Sequence, residues 1–168
     1  MFPKEAVSTL ISDLNGRIPP PVHTSGIEES RPVPAVLLSN VSVVKHNHHN
    51  SNYSGSVYDV DNVQDKQIFR YYYALRVDLQ VRAADEVEAY EYHSALLSAL
   101  TSIERRPTER LHQDVHEVKV GDSGPVSYQY FEPTETEINQ SIVLETFFES
   151  EEAVTDVIAE IQKDISYN

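Results

Sequence analysis

Between Phe69 and Arg106 the chain changes hydrophobic period once, and that change constrains its fold more than any other feature. Phe69, Tyr71, Tyr73, Leu75, Val77, Leu79, Val81 and Ala83 all carry odd numbers, with Arg70, Tyr72, Arg76, Asp78, Gln80 and Arg82 between them. Successive strand side chains point to opposite faces, so this pattern describes a long strand with one apolar and one charged face. After Asp85 the spacing becomes helical. Val87, Tyr90, Ser94 and Leu97 form one row, with Ala89, His93, Leu96, Leu100 and Ile103 beside it. A long strand feeding an amphipathic helix implies an α+β domain. The expectation is a small, mostly antiparallel sheet of about four strands with a long hairpin loop, covered on one face by two or three helices.

The remaining elements follow from local pattern. Lys4 to Leu14 reads as a first helix, with Pro3 in its first turn and Asn15-Gly16 closing it. Residues 17–34 hold Pro19-Pro20-Pro21, Pro32 and Pro34, an extended connector. Ala35 to Val44 reads as a strand whose phase slips near Ser39-Asn40, the signature of a bulge. Residues 46–67 are polar and read as a long loop of the hairpin. Val115 to Val120, Val126 to Phe131 and Ser141 to Phe148 read as further strands, the last apolar on both faces. Ser150 is placed to cap a terminal helix that starts with Glu151 and Glu152 and carries Val154, Val157, Ile158, Ile161 and Ile165. Residues 1–168 read as a single domain.

Charge and composition limit the partners. A formal net charge of −14 on 168 residues repels nucleic acid and anionic membrane. The acidic, lysine-poor surface suits a protein kept hydrated in concentrated salt; an ordinary acidic protein is the alternative. The chain has no cysteine, which removes disulfides and thiolate chemistry. No run is long or apolar enough for a signal peptide or membrane span, so the expectation is a soluble, non-secreted chain.

Candidate chemistry is sparse. His46, His48 and His49 form the one conspicuous ligand cluster, but it sits among Asn and Ser in a polar loop. Asp59, Asp61 and Asp65 resemble a calcium loop faintly. Counted from Asp59, the sixth residue is Gln64 where glycine is needed, and the twelfth is Arg70 where glutamate is needed. His93 would serve as a general base only if a nucleophile converged on it. No glycine-rich phosphate loop is present. The face of Arg70, Tyr72, Arg76 and Arg82 has the composition of a protein-binding surface, or of a solvated sheet face with cross-strand ion pairs.

The order of elements resembles a known family. The run Tyr73-Ala-Leu-Arg-Val-Asp-Leu-Gln-Val-Arg-Ala-Ala-Asp85-Glu-Val-Glu-Ala89, entering a central helix, is similar to the tail terminator (tail completion) proteins of tailed viruses. The acidic composition resembles a version from a virus of a halophilic archaeon. The resemblance covers roughly Lys4 to Ile165 and implies a non-enzymatic virion protein without cofactor or metal. Such a protein forms a homo-oligomeric ring, commonly a hexamer, at the head–tail junction. Its partners would be its own copies, the tail tube protein and the head–tail connector or neck protein, with no membrane and no sequence-specific nucleic acid. Arg70, Tyr72, Arg76, Arg82, His48, His49, Tyr53 and Tyr58 are the expected contact residues. Another neck or head-completion ring, or a small cation-dependent enzyme using the 46–65 loop, are the alternatives. The Pro-rich connector and the 46–67 loop depart from the family pattern.

Overall fold

Odd-numbered residues Tyr73 to Ala83 are all buried and Arg76 between them is exposed, as the period-two pattern requires. The computed structural model describes residues 1–24, 33–46, 52–61, 64–124, 127–129 and 135–153. Its elements run α1 (Pro3–Asn15), β1 (Val22–Thr24), β2 (Ala35–His46), β3 (Asn52–Asp59), β4 (Gln64–Ala83), α2 (Glu86–Arg105), α3 (Pro107–Arg110), β5 (Glu117–Ser123), β6 (Ser127–Gln129) and β7 (Glu135–Ala153). The fold is α+β, with a mixed, mostly antiparallel sheet and two helices longer than one or two turns. Neighbouring strands follow the order β1-β2-β4-β7-β5, with β3 on β4 and β6 on β7. The sheet is thus larger than the expected four strands, because short β1 and β6 and polar β3 join it.

Two compact units divide the chain, and β4 and β7 contribute to both. The first comprises Met1–His46 and Tyr73–Thr146. Its core combines Leu10 and Leu14 of α1, Val36 of β2, Leu75 and Leu79 of β4, Leu96, Leu100 and Ile103 of α2, and Ile142 and Leu144 of β7. Each such side chain contributes roughly 2 kcal/mol when withdrawn from water. Asp85 caps α2 by accepting from the Glu88 amide at 2.9 Å, and the Glu88 carboxylate accepts from the Ala84 amide at 3.1 Å. Pro107 follows the end of α2 and opens α3. Of the two rows expected on α2, Ala89, His93, Leu96, Leu100 and Ile103 form the buried face. Val87 and Tyr90 of the other row are exposed, Val87 at 71%.

Strand β2 brings Val36, Leu38, Val41 and Val43 to one face by changing phase. Val36 and Leu38 lie opposite Val81 and Leu79, whereas Val41 and Val43 lie opposite Val77 and Leu75. A register shift between Leu38 and Asn40 converts even to odd, at the place where the sequence pattern slips. A second shift lies between Val43 and Lys45. Within the Pro-rich connector 17–34, Val22–Thr24 forms a short strand that pairs in parallel with Val36–Leu38.

The second unit comprises Asn47–Tyr72 and Phe147–Asn168. The expected long loop at 46–67 contains a strand here. Asn52–Asp59 pairs antiparallel with Gln64–Arg70, with a register shift between Tyr53 and Gly55. Gly55, at φ 145, adopts a backbone conformation that side-chain-bearing residues rarely take. Ser150 to Ala153 does not begin a helix but continues β7. The expected helix over Val154 to Ile165 lies outside the described residues, as do His48 and His49.

Candidate functional site

Arg70 and Tyr72 point to one face of β4 in the second unit, and β7 sets Phe147 and Glu149 beside them. The Arg70 guanidinium donates to Glu149 Oε1 from Nη2 at 2.6 Å and from Nε at 3.0 Å, and its Cζ lies 4.3 Å from the centre of the Phe147 ring. Tyr72 and Phe147 rings approach to 5.6 Å at 53°. The hydrogen bond that Arg70 gives to Glu149, then its hydrogen bond with Tyr72, raises the Arg70 pKa. On the opposite face Tyr71 stacks on Phe148 at 5.1 Å, and Tyr53 meets Phe69 edge-on at 6.3 Å. Alternation along β3 and β4 puts Tyr53 and Tyr58 on this second face, at 59% and 55% exposure. Seven aromatics therefore crowd into three strand segments, out of ten tyrosines and five phenylalanines in the chain. Both faces are aromatic, and Val57 adds an exposed aliphatic residue.

Arg76 and Arg82 belong to the first unit, and their environments differ. Arg76 is half exposed and pairs with Asp78 at 2.9 Å on its own strand, where Asn40 also donates to Asp78 at 3.3 Å. Arg82 is 14% exposed and pairs with Glu137, itself 5% exposed, at 3.1 Å. Gln80 closes this group, accepting from Arg82 Nε at 3.1 Å and donating to Glu137 at 3.0 Å. Removing one partner of such a withdrawn pair leaves the other charge buried, at a cost of roughly 3 kcal/mol. Arg82 is thus held within the sheet by Glu137 and Gln80. All four face residues named from the sequence are engaged inside the chain, Tyr72 included.

A partly buried polar cluster joins α2, β5 and β7, with His93 and Gln140 buried and Ser123 at the surface. His93 Nε2 lies 3.2 Å from Gln140 Oε1 and 3.1 Å from Ser123 Oγ, and Ser123 Oγ donates to Gln140 Oε1 at 2.8 Å. A serine does converge on His93, which is the condition for a general base. The Gln140 amide nitrogen donates to the Gly121 carbonyl at 2.5 Å and to the Ser141 carbonyl at 3.1 Å, so its oxygen must face His93 and Ser123. His93 Nε2 thus lies within hydrogen-bond reach of both the Gln140 amide oxygen and the Ser123 hydroxyl, with donor and acceptor roles set by the imidazole tautomer. The cluster clasps a helix to two strands. His93 was legible on the apolar row of α2, but Ser123 and Gln140 were not, because only the β5–β7 register brings them together.

The acidic residues of the former loop region have structural partners. Asp59 pairs with Lys66 at 2.8 Å and accepts from the Asp61 amide at 3.0 Å. Asp65 lies opposite Tyr58 in the β3–β4 ladder. Among the described residues no group of three His, Asp or Glu side chains converges as a metal site. No helix among them is long and apolar enough to cross a membrane. No protein-family model matches this chain, and a search of curated proteins found no match.

Proposed function

We propose that this chain is a non-enzymatic structural protein of a tailed virion, whose copies form a ring that terminates the tail tube and joins it to the head connector. The observation that carries the reading is the second unit: three strand segments with aromatic side chains on both faces and half-exposed Tyr53 and Tyr58. So small a sheet cannot bury two aromatic faces within itself, and tyrosine supplies large, rigid contact area with a polar tip. The similarity of the Tyr73–Ala89 run to tail terminators supplies the class of assembly. A ring commonly of six copies is the expected form, with the tail tube protein on one side and a neck protein on the other. A neck or head-completion ring draws on the same surface, and recovery with connector and not with tail tube selects it.

The test uses untagged protein at molar and at low salt, with molar mass measured by light scattering and capture by purified tail tubes measured in parallel. A discrete multiple near six, or capture at tube ends, is the expected result. The Tyr53→Ser, Tyr58→Ser double variant should keep its circular dichroism and lose both properties. Monomers that ignore tail tubes at both salts, or a variant that assembles normally, overturn the reading. Arg82 is unsuitable as a probe because glutamate there would oppose the buried Glu137. Exposed Arg76 is the better charge-reversal site.

A further inference from the structure

One place on this acidic chain concentrates positive charge. Ser98, Thr101, Ser102 and Arg105 lie three or four residues apart on α2, hence along one side of it. The turn at Pro107 and the single turn of α3 bring Arg106 and Arg110 to the same open cleft, whose volume is about 510 Å³. All six side chains lining it are guanidiniums or hydroxyls.

The other arginines among the described residues differ in kind. Arg17, Arg70, Arg76 and Arg82 each hold a carboxylate at 2.8, 2.6, 2.9 and 3.1 Å. In the cleft the one ion pair among the described residues is Arg106 with Glu109 at 3.5 Å, both side chains about two-thirds exposed. Arg105 and Arg110 have no carboxylate within pairing distance among the described residues. Arg110 Nε is moreover buried without a hydrogen-bond acceptor.

We infer that this cleft is an oxyanion site for the phosphate group of a small molecule. Arg105 and Arg106 at the end of α2 would offset the negative end of its dipole, but that accounts for neither the hydroxyls nor Arg110. The dipole disfavours anions here, so selectivity must come from the guanidiniums themselves. A phosphate carries nearly two negative charges and several acceptor oxygens, which three guanidiniums and three hydroxyls match better than a lone carboxylate does. The cleft falls within the size range of small-molecule sites. The net charge of −14 opposes a polyanion as the source of the phosphate. The site is independent of the ring proposal.

Calorimetric titration of the full chain at low salt with inorganic pyrophosphate, citrate and a short single-stranded oligonucleotide tests the inference. Pyrophosphate should bind one to one and more tightly than citrate. Arg110→Gln and, separately, the exposed-site Arg105→Gln should each weaken it by at least about tenfold, since each removes a charge-assisted hydrogen bond. Lys119→Gln, which removes an equal charge elsewhere, should leave it unchanged. Absence of pyrophosphate binding at millimolar concentration overturns the site, as does binding that survives Arg105→Gln and Arg110→Gln. Oligonucleotide binding without pyrophosphate binding overturns the small-molecule source.

Discussion

Tyr73 is 4% exposed, and its hydroxyl donates to the Met1 carbonyl at 2.8 Å. Burial, and then the charges of Glu5 and Asp114, push its phenol up to about 12. The unfolded chain loses this proton near pH 10. Below that pH the contribution to stability is fully present, and it is lost as pH rises from about 10 to about 12, because there the native state still binds a proton that the unfolded state has released. Two pKa units correspond to roughly 3 kcal/mol. Urea unfolding should therefore show wild type losing more stability than Tyr73→Phe over that interval. Coincident pH slopes would mean that the phenol ionises normally. Parity alone placed Tyr73 on the apolar face, so this residue was legible in advance. The clasp of His93, Ser123 and Gln140 was legible only at His93, since a hydrogen bond between residues 47 apart depends on pairing that no local pattern encodes.

At the scale of elements, Gly121 of β5 lies directly against Ser141 of β7. A β-carbon there would fall on the Ser141 hydroxyl, and the same backbone carbonyl accepts from Gln140. Gly121→Ala is expected to cost roughly 1–3 kcal/mol through overpacking, and Ser141→Ala in the same chain should return part of it. Urea midpoints of the two single variants and the double variant measure the coupling. Strictly additive effects would remove Ser141 as the obstacle. Elements with strong alternation or helical rows, such as the Tyr73–Ala83 half of β4 and the whole of α2, could be read from sequence. Strand β3 could not: Asn52-Tyr-Ser-Gly-Ser-Val-Tyr-Asp59 is an exposed edge segment, held by its ladder to β4 and carrying little local preference. Glu151 and Glu152 misled in the other direction. Acidic residues after a serine favour a helix start, yet the β7 ladder runs through Ala153.

For the whole molecule, the excess of acidic residues opposes folding at low ionic strength through self-repulsion. Salt shortens the range of that repulsion to a few ångströms at molar concentration. The thermal midpoint should accordingly rise between low and molar potassium chloride, as differential scanning calorimetry would record. A flat or falling midpoint would assign the charge to solubility alone. The α+β class was legible because one strand and one helix carried clear periods, whereas the short strands β1 and β6 lie below the length at which a period can be recognised. The two register shifts in β2 also limit how this chain can diverge. Each sets one extra β2 residue, Ser39 and then Val44, against the ladder, so loss of one residue near Ser39 removes a bulge and leaves Val41 and Val43 opposite Val77 and Leu75. Descendants of this sequence can therefore lose one residue near Ser39 without turning a side chain over, whereas a residue gained there must widen the bulge, so single deletions should be the length changes that persist.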